Sequence, residues 1–433
     1  MPLHLPTLNA RLNSADLVRV EGRVQAVIGL CVFGVIPGAR LGELVEIGRS
    51  SGEPLIAEVV GFDRERVVLA PLGACTGVGP DDVIKATGQS FRVAFGEALL
   101  GRVLDGLGHP IDSGPPLEGV RLEVIRRAPD PMSRPPIDRA IPLGIRSIDA
   151  FATVGEGQRI GIFSGSGAGK STLIGQIARQ AEADVFVVCL VGERGRELGD
   201  FLRDSLGEEG RKRGVVVCST SDSPALVRMK CAHVATAIAE GFREQGKRVL
   251  LLLDSVTRFA RAAREVGLAA GEAPTRRGFP PSVFSALPAL LERSGPAPLG
   301  SITAFYTVLV EGGDLDEPVA DEVRGILDGH IVLRRELGER GRWPSVDVLA
   351  SLSRVMDRIA DEQHLLAARK VRAHLAVLED KQDLVAMGAY RSGSDPRLDR
   401  ALERLRGIDE FLAQGPRERS VFADTVRRLA SFA

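Results

Sequence analysis

The chain has 433 residues, which at roughly 150 residues per domain allows about three domains and a full-sized core without covalent staples. Lys plus Arg total 56 against 57 Asp plus Glu, a net charge of -1, so no global field draws the chain to nucleic acid or anionic lipid. Aromatics are 4% and hydrophobic residues 44%; platforms for stacked bases are scarce, and the core is predicted to be Val, Leu, Ile and Ala, as in parallel sheets covered by helices.

The first 16 residues carry two prolines and scattered leucines with no continuous apolar stretch, so they are expected to be a flexible segment and not a secretory signal. Leu8 and Leu12 beside Arg11 are too little for an amphipathic anchor. From Leu17 to about Leu72, short β-rich runs separated by turn residues predict a small closed barrel, assigned to residues 17–84. Asp82 to Pro135 is rich in Gly and Pro and reads as a connector draped over a larger domain. From there to Arg354, apolar runs alternate with helical patterns, the mark of an α/β domain with a mainly parallel sheet, assigned to 85–355. Its expected strands are RIGIFSG, VFVVCLVG, VVVCST, VLLLLD and SITAFYTVLV. Residues 356–433 turn helical: Leu398, Leu402, Leu405, Ile408 and Leu412 recur at steps of three and four, and Pro416 is expected to open a final helix.

Cys31, Cys75, Cys189, Cys218 and Cys231 form no CxxC pair, which predicts reduced, buried thiols and a cytosolic setting. The histidines lack metal-ligand spacing. No apolar run approaches the ~18 residues of a membrane span, so the chain is expected to be soluble.

The strongest chemical signal is Ser164-Gly165-Ser166-Gly167-Ala168-Gly169-Lys170-Ser171, which follows an apolar run and precedes the helical string TLIGQIARQ. Strand, glycine loop and helix in that order make a P-loop: backbone N–H groups approach phosphate oxygens, and the helix N-terminus adds its positive dipole end. Gly165, Ser166, Gly167, Ala168, Gly169, Lys170, Ser171 and Thr172 are the expected nucleotide cradle, with Lys170 on the β and γ phosphates and Ser171 on Mg²⁺. Ser164 stands where the strict pattern has its first Gly. Val249 to Leu253 is a buried-strand run ending in Asp254, placed to orient Mg²⁺ and its waters, although the same pattern suits an ordinary strand-end acid. Gly192-Glu193-Arg194-Gly195-Arg196-Glu197 ends another strand. It reads either as a solvated loop opening a helix or as a general base for water beside a phosphate-binding arginine.

These residues carry a family resemblance. GQRIGIFSGSGAGKSTL, VGERGREL, LLLLDSVTRFARAAREVGLAAGE, TRRGFPPSVFSALPALLERSG, GSITAFYTVLVEGGDLDEPVADEVRGILDGHIVLRREL and WPSVDVLASLSRVMD together resemble the catalytic ATPase of type III protein secretion, injectisome or flagellar. That family is related to the catalytic subunits of F-type and V-type rotary ATPases. The resemblance implies a RecA-like P-loop core between an N-terminal barrel used for oligomerisation and a C-terminal helical domain.

By the same resemblance, Glu193 polarises the lytic water, Arg194 lies near the γ-phosphate, and Glu197 acts on Mg²⁺ through water. Arg354, in SLSRVM, matches the arginine finger inserted into the neighbouring subunit's site. Trp343 matches a position usually held by Tyr, where an aromatic packs on adenine. Glu193 and Arg354 in one polypeptide let identical copies supply both faces of every site; a head-to-tail interface that closes gives a ring, and the resemblance implies six subunits. It further implies Mg-ATP hydrolysis that detaches chaperones from exported proteins and unfolds them at the cytoplasmic face of an inner-membrane export gate. A regulator and a central stalk protein are the other expected partners, with peripheral membrane association open. TRRGFPPSVFSALP leans to the injectisome. A rotary subunit is disfavoured by the single-chain argument. An RNA translocase is disfavoured because Phe33 and Phe62 are the only aromatics before Leu72, and no nucleic-acid partner is expected.

Overall fold

The computed structural model describes residues 20–433, apart from the side chains of Glu209 and Glu311. The expected flexible segment 1–16 lies outside the described residues. Two compact units are built from this chain.

In the first unit, alternating apolar residues form β1 (Glu21–Ile28), β2 (Cys31–Val35), β3 (Glu43–Ile47), β4 (Leu55–Asp63), β5 (Arg66–Pro71) and β6 (Val83–Ser90). They close into a barrel in the order β1-β2-β5-β4-β3-β6, sealed by β6 pairing antiparallel with β1. Closure removes the sheet edges. Val24, Val32, Val45, Ile47, Leu69 and Ile84 fill it. The closing strand belongs to the stretch read from sequence as connector, and it runs to Ser90, beyond residue 84.

The rest of that stretch is structured in the second unit. β7 (Arg92–Phe95) and β9 (Val120–Glu123) form an antiparallel ribbon, and β8 (Val103–Asp105) joins the edge of the main sheet. It is a structural part of the sheet more than a draped connector. The other strands are β10 (Arg159–Ser164), β11 (Val185–Glu193), β12 (Gly214–Thr220), β13 (Arg248–Asp254), β14 (Gly295–Pro296), β15 (Ser301–Leu309), β16 (Gly329–Leu333) and β17 (Val346–Ser353). Their order is β17-β16-β10-β15-β13-β11-β12-β8, with β14 paired to β15. All are parallel except β14 and β17. The runs are apolar throughout because both sheet faces are covered; every residue of β11 is buried.

Helices α1 (Arg146–Phe151), α2 (Lys170–Gln180), α3 (Ala225–Glu244), α4 (Val256–Ala269) and α5 (Pro281–Leu291) belong to this α/β part. α3 is buried almost all round, and the charge it carries inward is matched: Glu240 accepts from Arg293 Nε at 2.9 Å and Nη2 at 2.7 Å.

The C-terminal helices are α6 (Glu362–Asp380), α7 (Pro396–Leu412) and α8 (Phe422–Ala430). Asp361 caps α6 by accepting from His364 N–H at 2.8 Å, and Asp395 caps α7 through Arg397 N–H at 2.9 Å. Val371, Ile408, Phe411 and Leu429 share one core with Ala150, Phe151 and Val348. Pro416 does not open the last helix, which starts at Phe422. The intervening segment is held open by its neighbours. Arg146 donates to the carbonyls of Phe411 and Ala413 and pairs with Glu418, and Arg179 Nη2 donates to the Pro416 carbonyl at 2.7 Å. These side-chain bonds satisfy the carbonyls at the end of α7 and along the strap without a helical turn.

All five cysteines are free; four are buried and Cys75 is half-buried. Among the described residues no helix is long and apolar enough to cross a membrane.

Candidate functional site

The buried run of β10 ends at Ser164, and the chain turns back into α2 through a loop that needs left-handed backbone at Gly167 (φ 79°) and Gly169 (φ 78°). An L side chain is disfavoured at both. At Gly169 a Cβ would also collide with the ring of Trp343. α2 starts at Lys170 with no side-chain cap, so the N–H groups of its first turn have no intrahelical acceptor and remain for an anion. Ser166, Gly167, Ser171 and Thr172 are exposed, whereas Ala168 is buried and its carbonyl is pinned by Ser345 Oγ at 2.6 Å. Ser164 is fully buried and its hydroxyl has no hydrogen-bond partner among the described residues.

Two further strands bring acids to the same sheet end. Asp254, 3% exposed, closes β13 and forms an ion pair with Lys170. Thr307 Oγ on β15 donates to the same carboxylate oxygen, Oδ1, at 2.7 Å. Glu193 closes β11, where the pairing with β12 slips between Leu190 and Glu193. Such a bulge re-aims the side chain that follows it. Arg258 Nη1 lies 2.6 Å from Glu193 Oε1 and donates to the Gly192 carbonyl at 2.8 Å. Glu193 Oε2 is buried and has no hydrogen-bond partner among the described residues.

Burial pushes the Glu193 pKa above the ordinary range and the nearby Asp254 charge pushes it further, against the opposing pull of Arg258 and Lys170. A carboxylate poised this way, with one oxygen held and the other open, suits a general base.

The other sequence-predicted residues are distributed unevenly. Arg194 Nη1 and Glu197 Oε1 stand 3.1 Å apart in a solvent-facing pair at the start of the short helix Gly195–Asp200, just outside the buried acids. Trp343 is 40% exposed and packs across Gly169 and Gly338. Arg354 lies elsewhere. β16 runs parallel to β10 with Leu333 beside Ser164, and β17 returns antiparallel so that Ser353 stands beside Gly329. Arg354 therefore follows β17 at the amino end of β16, where its N–H donates to the Asp328 carbonyl at 2.9 Å. At ~3.3 Å per residue the five-residue offset puts it about 16 Å along the sheet from its own P-loop. Its side chain is exposed, with Nη2 3.5 Å from the Arg324 carbonyl.

Sequence reasoning missed three residues here. Arg258 sits four positions after Asp254, in the first turn of α4, a spacing that returns a side chain toward the strand end. Thr307 is a hydroxyl near the carboxyl end of an otherwise apolar strand, which could have marked it. Gln414 had no sequence signal: its N–H donates to the Trp343 carbonyl at 2.7 Å across a gap of many residues.

The donors fit a magnesium nucleotide. Ser171, Asp254 and Glu197 offer hard oxygens, and among the described residues no cluster of three or more His, Cys, Asp or Glu could hold an ion. Mg²⁺ at phosphoryl-transfer sites is held by one or two protein oxygens with phosphates and waters.

A glycine loop, a strand-end acid and a half-held buried glutamate at the carboxyl end of a parallel sheet define a P-loop nucleotide-binding protein. Residues 144–353 match the family model described as the ATP synthase alpha/beta family nucleotide-binding domain, and residues 360–431 match the T3SS EscN ATPase C-terminal domain. The chain is 51% identical to the flagellum-specific ATP synthase of Treponema pallidum, covering 97% of this chain and 94% of that one. It is 49% identical to the type 3 secretion system ATPase of Xanthomonas euvesicatoria, covering 99% and 98%. Among solved structures it is similar to the assembled ATPase EscN from the enteropathogenic E. coli type III secretion system, with TM-score 0.90, 45% identity, and 95% and 99% of the two chains covered. EscN has also been solved in complex with its central stalk EscO (TM-score 0.87). This chain belongs to the family of type III secretion and flagellum-specific ATPases, and it is an ATPase.

Proposed function

We propose that the chain is the Mg²⁺-dependent ATP hydrolase that energises type III protein export, acting as a homohexamer in which each site is completed by a neighbour. Gly165 to Thr172 cradle the phosphates, Lys170 tracks charge on the transferring phosphoryl group, and Glu193 takes the proton of the attacking water. Ser171 would hold Mg²⁺, with Asp254 and Glu197 orienting it through water, and the ion when bound would supply positive charge against the charge that develops on the phosphates. Trp343 offers a π face to adenine, and Arg194 lies toward the γ-phosphate.

One observation carries the reading: the buried acids gather at one end of the sheet, while Arg354 stands exposed near the other. An arginine about 16 Å from its own P-loop serves catalysis only in another copy's site. A head-to-tail interface that supplies it closes into a ring. Hydrolysis would detach chaperones from exported proteins and unfold them at the cytoplasmic face of the inner-membrane gate, with a central stalk in the ring and a regulator controlling assembly. Identity does not separate the two branches, at 51% to a flagellar and 49% to an injectisome relative. TRRGFPPSVFSALP inclines the reading to the injectisome, and needle or flagellin genes beside the coding gene decide it.

The test is complementation. Arg354→Ala and Lys170→Ala proteins, each inactive, regain activity when mixed, because about a quarter of interfaces join an intact P-loop to an intact finger on the ring geometry. Fingers are worth roughly 10³ to 10⁵ in rate, so that minority stands far above background. If demonstrably exchanging subunits stay as inactive as their parents, either Arg354 works within its own chain or firing requires the whole ring to be intact; a heterodimer with one defined active interface separates the two, and its inactivity rejects the reading.

A further inference from the structure

β15 lies between the P-loop strand β10 and the acid strand β13. Its register sets Tyr306 opposite Leu253 and Thr307 opposite Ile162, so Thr307 stands level with Asp254 as the ladder continues. Thr307 is 1% exposed. Its hydroxyl is 2.7 Å from Asp254 Oδ1 and 3.4 Å from the Leu253 carbonyl. One proton serves one acceptor, and the shorter bond to a carboxylate is the stronger. The same Oδ1 also receives the Lys170 ammonium. One oxygen of a buried acid thus has two donors of different character. Lys170 is a point charge on a flexible four-carbon stem; Thr307 is a β-branched side chain with a stiff χ1 on a buried strand.

That difference matters once a phosphate competes for Lys170. If the ammonium turns to phosphate oxygens, Oδ1 of Asp254 loses its cation, and a buried carboxylate oxygen without a donor carries a large desolvation penalty. Only the threonine is built to remain. We propose that Thr307 is a positioning residue: it keeps Oδ1 of Asp254 satisfied when Lys170 moves to the phosphates, and so holds the carboxylate where it would orient a hydrated Mg²⁺. The hydroxyl lets the lysine go without releasing the acid. This rests on the reading of Lys170 as the phosphate-binding cation.

The decisive variant is Thr307→Val, which keeps the β-branched shape and removes the hydroxyl; Thr307→Ser keeps the hydroxyl. Calorimetric titration of the full chain with ADP, in EDTA and in Mg²⁺, reads binding independently of turnover. Supporting groups of this kind are worth about 10- to 100-fold in metal affinity or activity. Thr307→Val is expected to bind ADP at least about tenfold more weakly in Mg²⁺, with a smaller loss in EDTA and a kcat reduced about tenfold. Thr307→Ser stays near wild type on all three. A purely structural role would lower the melting temperature and leave the magnesium-dependent gain in ADP affinity intact. That outcome overturns the proposal, as does a Val variant that binds and hydrolyses like wild type. If Thr307→Val does not fold, Thr307→Ala against Thr307→Ser repeats the comparison, and equal magnesium dependence in those two is equally fatal. Lys170→Ala in parallel separates the two readings. An inactive Lys170→Ala beside a normal Thr307→Val sinks only the role of Thr307, whereas an active Lys170→Ala sinks the site on which it rests.

Discussion

The two ends of the main sheet use charge in opposite ways. At the carboxyl end Lys170, Asp254, Glu193 and Arg258 crowd together, and the arrangement leaves Glu193 Oε2 buried with no hydrogen-bond partner among the described residues. At the amino end, Arg159 is ion-paired with Asp328, 3.1 Å from Nε, and with Glu292; the pairs brace the start of the P-loop strand, although Arg159 Nη1 makes no hydrogen bond among the described residues. Glu193 keeps one buried carboxylate oxygen open for an incoming group, whereas the charges around Arg159 are spent on ion pairs that brace a strand. Arg354 is the exception at the amino end: exposed and weakly held, it is a group prepared for a surface outside its own fold.

The comparison is broken most severely at Glu193. Glu193→Gln keeps the shape and the hydrogen bond to Arg258 but cannot take a proton, and a general base contributes roughly 10² to 10⁴ in rate. ATP is expected to bind and persist, as followed by phosphate release against retained nucleotide. The wild-type rate should fall as pH drops through the raised pKa of Glu193, since only the ionised form accepts the proton. Undiminished turnover in the amide variant would move the base elsewhere, with Glu197 the next candidate. Arg258→Ala is the next largest effect. Arg258 opposes the upward shift of Glu193, so its loss raises that pKa and moves the acid limb of the pH–rate profile to higher pH. A profile that loses height without shifting would show that Arg258 acts only through the Gly192 carbonyl.

The carboxyl end was largely legible in the sequence because its chemistry is local. The string from Gly165 to Ser171 carries both the backbone freedom and the cation, and the apolar runs into Glu193 and Asp254 announce strands that end in acids. The barrel and the helical C-terminus were legible from periodicity, although β6 and β8 lay hidden in a stretch read as Gly- and Pro-rich connector, and the strands they join, β1 and β12, are distant in the chain. Thr307 and Arg258 were not read because their meaning arises from strand register and from the turn after β13. Pro416 misled, since proline suits a first helical turn equally well as an extended strap, and what holds that strap comes from residues far away in the chain.

At the amino end the expected effect is on stability and not on rate. Asp328→Asn removes the charge facing Arg159 while leaving the backbone carbonyl that Arg354 uses. The melting temperature should drop, with kcat and KM for ATP within about twofold of wild type, in keeping with the few kcal/mol that partly buried pairs command when one partner is lost. A tenfold fall in kcat would mean that this pair aims Arg354, and the division between the two ends would lose its force.

The smallest effect tests whether the two ends are independent at all. Gln414, 4% exposed, donates through Nε2 to the carbonyls of Gly144 and Glu418, each at 2.7 Å, and accepts from Arg146 N–H at 2.9 Å. Its own N–H holds the Trp343 carbonyl, while Gln180 in the last turn of α2 donates to the Glu418 carbonyl at 3.0 Å. A helix that follows one parallel strand and precedes the next runs back along the sheet, so the strap around Gln414 touches the far end of α2 and also the aromatic beside Gly169. Gln414→Leu leaves those buried partners unsatisfied and should lower stability by about 1–3 kcal/mol. If the strap also positions Trp343, KM for ATP rises about threefold while kcat holds; this is the expected result, small because Gly169 and Gly338 still pack against the ring. Trp343 is the only tryptophan in the chain, so its emission reports the change directly: the Gln414→Leu protein should show an altered spectrum that Asp328→Asn does not share. An unchanged spectrum and an unchanged KM, alongside the loss of stability, would make the strap a fastening only.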